Sequence, residues 1–258
     1  CVQCHLKIDT GMHRLGIPAE EPFQVKRIFA MKQLRVSGIY THLCCSDSLR
    51  PEDVDFTHKQ IERFYHLLEE LRSGGITVPK IHIQSSYGLL NYPELQCDYV
   101  RVGIALYGVL SSPDRDTALK PELRPVLSLK TKVVLIRSVK KGEPVGYGGS
   151  FQAERDSRIA ILPVGYGDGF PRELSCGKGS VNIRNHCVPI VGRICMDSLA
   201  VDITDAEDIA VGDTAVLIGT EPGHSTSAPV VADSCGSISN ELLARMGARL
   251  PVVVKNVK

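Results

Sequence analysis

Apolar positions along residues 1 to about 107 alternate between short runs and helical spacings. Leu6 to Ile8 predicts a strand, and Phe23, Val25, Ile28 and Phe29 a helix, with Pro22 suited to its first turn. Val36 to Tyr40 is a second strand. Val54, Ile61, Phe64, Leu67, Leu68 and Leu71 recur at spacings of three, four and seven, which predicts a long amphipathic helix stopped by Gly74 and Gly75. Ile81 to Gln84 reads as a third strand, Leu89 and Leu90 as part of a short helix, and Tyr99 to Val102 as a fourth strand. Such alternation implies parallel pairing through right-handed crossovers.

Past the proline-rich stretch from Pro113 to Pro125 the rhythm changes. Val126–Val139, Ile159–Val164, Val188–Ile194, Leu199–Ile203 and Thr214–Ile218 are β-rich runs parted by Gly, Asp and Asn turn signals. One helix is predicted near 237–246, followed by a last strand at Val252–Val254. The expected organisation is part of a β/α barrel over 1–112 and a mostly β domain over 113–258.

Polar groups gather where the barrel strands end: Asp9 and Arg14, Thr41 and His42, Ser85 and Ser86, Arg101 and Gly103. The C-terminal strand ends of a barrel form its active-site rim. Four strand–helix units are present, whereas a closed barrel has eight, and the strand pattern begins almost at Cys1. These residues are therefore expected to be the later half of a barrel that starts upstream.

Composition narrows the partners. The 258 residues carry 30 basic and 29 acidic side chains, a formal charge of +1, with no block of like charge. That argues against nucleic acid or an anionic membrane surface. No apolar run is longer than a strand, so no membrane segment is expected, and a cytoplasmic location is. Nine cysteines are scattered without the density of a disulfide framework and read as reduced thiols. Cys1 and Cys4 form an isolated C-x-x-C, and no metal site is expected.

Taken singly, the candidate chemical groups each have two readings. Arg101 to Gly108 closes a strand with a glycine turn that could cradle a phosphate, with Ser86 adding a hydroxyl; it could equally be a tight strand exit. His42 could act in chemistry or pack in a core. Tyr147 and Tyr166 lie in glycine-rich turns, where tyrosines often pack over glycine. Cys195-Met196-Asp197 ends an apolar strand.

Together they resemble the alanine racemase family. Lys7-Ile8-Asp9-Thr10-Gly11-Met12-His13-Arg14-Leu15-Gly16 is similar to D-T-G-M-x-R-x-G, and Gly38 to His42 to the family's histidine strand. Arg101 to Gly108 matches R-x-G-I-x-L-Y-G, and Val145 to Gly148 the [SG]-Y-G motif. Pro163 to Gly169 matches P-[IV]-G-Y-x-D-G, and Val191 to Asp197 matches V-G-R-[IV]-[CS]-M-D. Six motifs in one order cover nearly the whole chain.

The resemblance implies a pyridoxal 5'-phosphate (PLP) racemase of small amino acids, alanine or serine. It also implies a head-to-tail homodimer in which each site is shared between the barrel of one subunit and the β domain of the other. By residue, it implies Arg101 at the pyridine nitrogen, with Ser86, Gly103 and Ile104 on the phosphate. Tyr147 would be one acid/base group and His42 its partner, itself linked to Arg101. Arg14 would meet the substrate carboxylate, oriented by Lys7, a position carbamylated in many members. The Met196 backbone would contact the same carboxylate, with Tyr166 and Asp197 at the entrance.

Two departures stand out. The lysine motif K-A-[ND]-A-Y-G-H-G has no match in these residues, so the PLP lysine has no position here. The usual I-x-Y-E appears as Ile238-Ser239-Asn240-Glu241, placing Asn240 where a tyrosine ordinarily touches phosphate and crowds the substrate methyl. That asparagine is similar to the serine racemases of vancomycin-resistance operons, whose racemase domain follows a membrane domain. His82-Ile83-Gln84-Ser85-Ser86 also departs from H-x-x-N-S. The alternatives are a decarboxylase of the related barrel fold, which favours an acidic partner for the ring nitrogen, and a non-catalytic fragment.

Overall fold

The computed structural model describes residues 1–114, 116–221 and 224–255. Its contacts divide the chain into two compact units. The first comprises Cys1–Leu106 and Asp114–Glu122; the second comprises Tyr107–Pro113 and Leu123–Lys258.

The first unit is built on β1 (Val2–Asp9), β2 (Ile17–Pro18), β3 (Leu34–Tyr40) and β4 (Lys80–His82), all parallel in the order β2-β1-β3-β4. Helices α1 (Pro22–Phe29), α2 (Pro51–Ser73) and α3 (Ser86–Asn91) connect or follow them. Each of α1 and α2 opens on a proline, whose absent N–H costs nothing in a first helical turn. The register pairs Leu6 with Ile39 and Lys7 with Tyr40, and β4 sets Ile81 on Ile39 and His82 on Tyr40. Alternate residues of a strand point to opposite faces. One face therefore carries Ile8, Ile39 and Ile83, all fully buried with Phe64, Leu67, Leu68 and Leu71 of α2 and Val25 of α1. The other carries His5, Lys7, Tyr40 and His82.

The expected fourth strand, Tyr99–Val102, does not form. The segment runs beside β4 but makes separate bonds rather than a ladder: the amides of Asp98 and Tyr99 both donate to Ile81 O (2.9 and 3.4 Å), and that of Arg101 to Gln84 O (2.9 Å). Strand composition is present without a continuous partner.

The second unit holds β5 (Leu129–Lys132), β6 (Leu135–Val139), the short hairpin β7 (Pro144–Val145) and β8 (Phe151–Gln152), and β9 (Ser157–Leu162). It continues with β10 (Ser180–Ile183), β11 (His186–Val191), β12 (Leu199–Asp202), β13 (Thr214–Glu221) and β14 (His224–Thr226). Helices α4 (Ala228–Asp233) and α5 (Ser239–Arg245) follow. The main sheet is antiparallel in the order β14-β13-β10-β11-β12-β9-β6, with β5 also on β13. Phe170, Leu174, Ile183, Leu199 and Leu217 sit at its core. The expected last strand is absent: Val252, Val253 and Val254 are exposed and have no regular structure, since no neighbouring strand among the described residues offers them a ladder. No helix among the described residues is long and apolar enough to cross a membrane.

Candidate active site

In the first unit the polar groups converge at the strand ends. Asp9 closes β1, and its Oδ1 accepts the amides of Gly11, Met12 and His13 at 3.0, 3.0 and 3.1 Å. This curls the chain into a loop presenting Arg14, which is exposed. Burial pushes the Asp9 carboxyl up, but these three donors outweigh it and hold the group below the usual carboxylate range. Gly16 ends the loop with φ +116, and a Cβ there would lie 2.8 Å from Asp9 N. Lys7 Nζ donates to Leu15 O at 2.6 Å. Burial first, then Arg14 and Arg101, lower its pKa against the opposing pull of Asp9.

Arg101 is the hub. Nη1 donates to His82 Nδ1 (2.7 Å) and His82 O (3.0 Å). Nη2 shares its two hydrogens among Thr41 O (2.8 Å), Ile83 O (3.1 Å) and His42 Nδ1 (3.1 Å). None of these bonds uses Nε–H, which has no hydrogen-bond partner among the described residues. A guanidinium has no acceptor, so both histidines must accept at Nδ1 and carry their proton on Nε2. Burial and the Arg101 charge keep both neutral. His42 is held below its ordinary pKa by burial, then by Arg101, Arg14 and Lys7, and His82 is pushed down to about 4 by burial, Arg101 and His5.

Ser86 is buried at the start of α3, and its Oγ accepts the amides of Gly103 (2.9 Å) and Ala105 (3.3 Å). With its oxygen accepting from both, the hydroxyl hydrogen is left to donate. A Cβ on Gly103 would meet nothing nearer than that oxygen, at 4.0 Å. Ile104 opens the 3-10 turn Ile104–Tyr107. Ser86, Gly103 and Ile104 thus form a tight corner beside an arginine, with the Gly103 amide given to Ser86 Oγ and the Ser86 hydroxyl hydrogen turned to donate elsewhere.

In the second unit the remaining residues fall on adjoining turns. Tyr147, 67% exposed, heads a turn flanked by Gly146 and Gly148, both at positive φ, packed on Gly192 and Arg193. Tyr166 sits on the turn Tyr166–Asp168, docked by Tyr166 N→Cys195 O (3.1 Å) and Gly167 N→Met196 O (2.8 Å). A Cβ on Gly165 would lie 2.2 Å from Cys195 O, so only glycine permits this approach. Met196 and Asp197 are exposed beside it. Asn240 lies in the first turn of α5 and is not its N-cap, which is Ile238; its Oδ1 accepts from Ser111 Oγ at 2.8 Å.

Two residues of this network escaped the sequence reading: His82 as a partner of Arg101, and His5 bonded to it. The signal available was period two, since His5 and Lys7 alternate onto one face of β1.

A four-stranded parallel sheet with polar strand ends and a separate antiparallel domain have the architecture of part of a β/α barrel followed by a β domain. The alanine racemase N-terminal domain matches residues 1–111 and the alanine racemase C-terminal domain residues 126–254. The chain is 50% identical over 252 residues to an amino-acid racemase of Enterococcus faecalis, covering 98% of this chain and 35% of that protein. It is 38% identical over 254 residues to a serine/alanine racemase of Enterococcus gallinarum, covering 98% and 35%. The crystal structure of alanine racemase from Bartonella henselae with covalently bound pyridoxal phosphate superimposes with a TM-score of 0.81 at 31% identity, covering 96% of this chain and 65% of that one. The chain belongs to the alanine racemase family, and it spans about a third of the length of the two enterococcal relatives.

Proposed function

We propose that the protein carrying this chain interconverts the enantiomers of a small amino acid, alanine and also serine, using PLP in a homodimer with shared sites. D-alanine made this way would feed cell-wall precursor synthesis, with the catalytic domain on the cytoplasmic side. The observation that carries the reading is Arg101: a half-buried, permanently charged guanidinium with a spare Nε–H, wedged between two neutral histidines. An arginine here keeps a ring nitrogen unprotonated by donating to it. A decarboxylase-type acidic partner has no place in that arrangement.

The residues fit the cofactor. Ser86 through its hydroxyl and Ile104 through its backbone N–H would hold its phosphate, with Gly103, whose amide is given to Ser86 Oγ, leaving open the approach to that corner, and Arg101 would face its pyridine nitrogen. What PLP supplies when bound is an electron sink next to the substrate α-carbon. The chain's own residues handle protons and orientation. Arg14 binds the substrate carboxylate, with the Met196 backbone on its other side, and Tyr166 and Asp197 narrow the entrance. Tyr147 of one subunit serves the barrel of the other, moving a proton to or from the face of the α-carbon opposite the PLP lysine. A phenol ordinarily titrates near pH 10, so a base working at neutral pH needs a hydrogen-bond donor to favour its anion. His42 fits that need, because its Nδ1 accepts from Arg101, which leaves the proton on Nε2 as a donor. The lowered amine of Lys7 is more often neutral than an ordinary lysine, which favours its carbamylation by carbon dioxide and a firmer hold on Arg14.

Tyr147→Phe tests the assignment. We expect racemisation in the full-length protein to fall by at least about a hundredfold, the scale of a lost general acid/base, with PLP still bound. Undiminished turnover would overturn it.

A further inference from the structure

We propose that His5 is a positioning residue for Arg101, acting through His82: the lone pair of His5 Nδ1 fixes the His82 tautomer that lets Arg101 hold its place. The inference deepens the racemase reading above and rests on it.

The strand geometry prepares this contact. The pairing of β1 with β3 is irregular between Cys4 and His5, after which His5 stands opposite Gly38. A Cβ on Gly38 would lie 2.5 Å from His5 Nδ1 and 2.6 Å from its Cγ and Cε1, so the imidazole occupies space that only a glycine leaves. His5 Nδ1 then lies 2.8 Å from His82 Nε2. His82 is held from its other sides by Tyr40, stacked at 4.7 Å and 10°, and by Tyr99, edge-on at 6.2 Å. The titratable or charged groups facing it are therefore Arg101, His5, Tyr40 and Tyr99.

One arrangement of protons satisfies the whole row. Arg101 Nη1 can only donate, so His82 Nδ1 accepts and its proton sits on Nε2. That Nε2–H needs an acceptor at 2.8 Å, which is His5 Nδ1, and the His5 proton is placed on Nε2. The opposite tautomer of His82 would set two donors 2.7 Å apart and push Arg101 away. Because Nη2 of the same guanidinium is bonded to His42 Nδ1, the displacement would reach the histidine proposed to assist Tyr147. Without the His5 acceptor, His82 loses the bond that favours the productive tautomer.

The test compares His5→Phe, a ring with no acceptor, with His5→Gln, whose amide oxygen can accept, in the full-length PLP-bound protein. For His5→Phe we expect kcat to fall about tenfold, the scale of one lost hydrogen bond in such a network, with KM little changed. The acidic limb of the pH–rate profile should shift, and the visible absorbance of bound PLP should titrate at a changed pH, because the guanidinium facing the ring nitrogen has moved. For His5→Gln we expect recovery to within about threefold of the parent. Equal losses in both variants, or losses that follow thermal stability while the acidic limb and the cofactor titration stay put, would overturn the proposal. Gly38→Ala, which evicts the ring without changing its chemistry, should imitate His5→Phe; if that variant does not fold, the Phe and Gln pair decides alone. Tyr147→Phe run alongside separates the two ideas: full activity there sinks the racemase mechanism, whereas the cofactor titration still reports on His5.

Discussion

Asn240 gives its side-chain oxygen to Ser111, which turns its amide NH2 into the group it can offer a ligand. A serine hydroxyl has an oxygen to accept that donor and so need not be buried unpaired. We expect Asn240→Tyr in the full-length protein to lower the serine-to-alanine ratio of kcat/KM by roughly ten- to a hundredfold, the value of a satisfied polar contact in discrimination. A ratio that holds steady would leave Asn240 as a tether for Ser111. His82 makes a different prediction. Its folded pKa, about 4, lies below the ordinary value near 6.5, so between those limits the unfolded chain binds a proton that the folded one refuses. Stability should therefore fall as the pH drops from about 6.5 to 4, by about 1–3 kcal/mol for this group, which is 6% exposed. Urea unfolding of the parent and of His82→Gln at pH 7 and at pH 4.5 checks this; the variant should show the shallower decline, and parallel declines would assign the effect to other groups.

At the level of elements, Gly165 is the position where one added methyl group does most harm to the second unit's turns. Alanine there would put a carbon 2.2 Å from Cys195 O, prising the Tyr166 turn off the end of the β11–β12 connection. We expect Gly165→Ala to cost about 1–3 kcal/mol in chemical denaturation, as overpacking does, and to raise KM through Tyr166. Unchanged unfolding would mean that the turn has room to slide. How far the sequence disclosed these elements follows from what periodicity measures. α2 was legible because six apolar residues share one face, and Phe64, Leu67, Leu68 and Leu71 of that face are buried. Tyr99–Val102 and Val252–Val254 misled because a β-branched run records propensity, while a strand also needs a partner with open N–H and C=O groups. β10 was missed because buried Asn182 interrupts its apolar pattern, and β7, β8 and α4 because two to six residues hold too few periods to register. In the first unit, motif order singles out Arg101 and His42, which are bonded to each other; period two puts His5 on their face of the sheet, but its link to His82 depends on a bulge and a facing glycine, which no spacing along one strand can reveal.

For the whole molecule, the proposed shared sites predict complementation. Neither Tyr147→Phe nor Arg101→Glu should be active alone. Unfolded and refolded together, they should form mixed dimers in which one site recovers both natural residues, giving roughly a quarter of the parent activity on random pairing. No recovery, with mixed dimers demonstrated by differential tagging, would put Tyr147 in the same subunit as its Arg101. The path of the chain carries a practical corollary. Tyr107–Pro113 belongs to the second unit and the following Asp114–Glu122 to the first, so the backbone makes an out-and-back excursion before it departs for good. Anyone grafting this β domain onto another barrel would have to transplant the strip 107–113 with it, because Ser111 anchors Asn240 and accepts the Ser239 amide. The recipient would keep its own equivalent of 114–122. A chimera joined at a single point through the proline-rich stretch would inherit the strands but sever the fastening of the helix that carries Asn240.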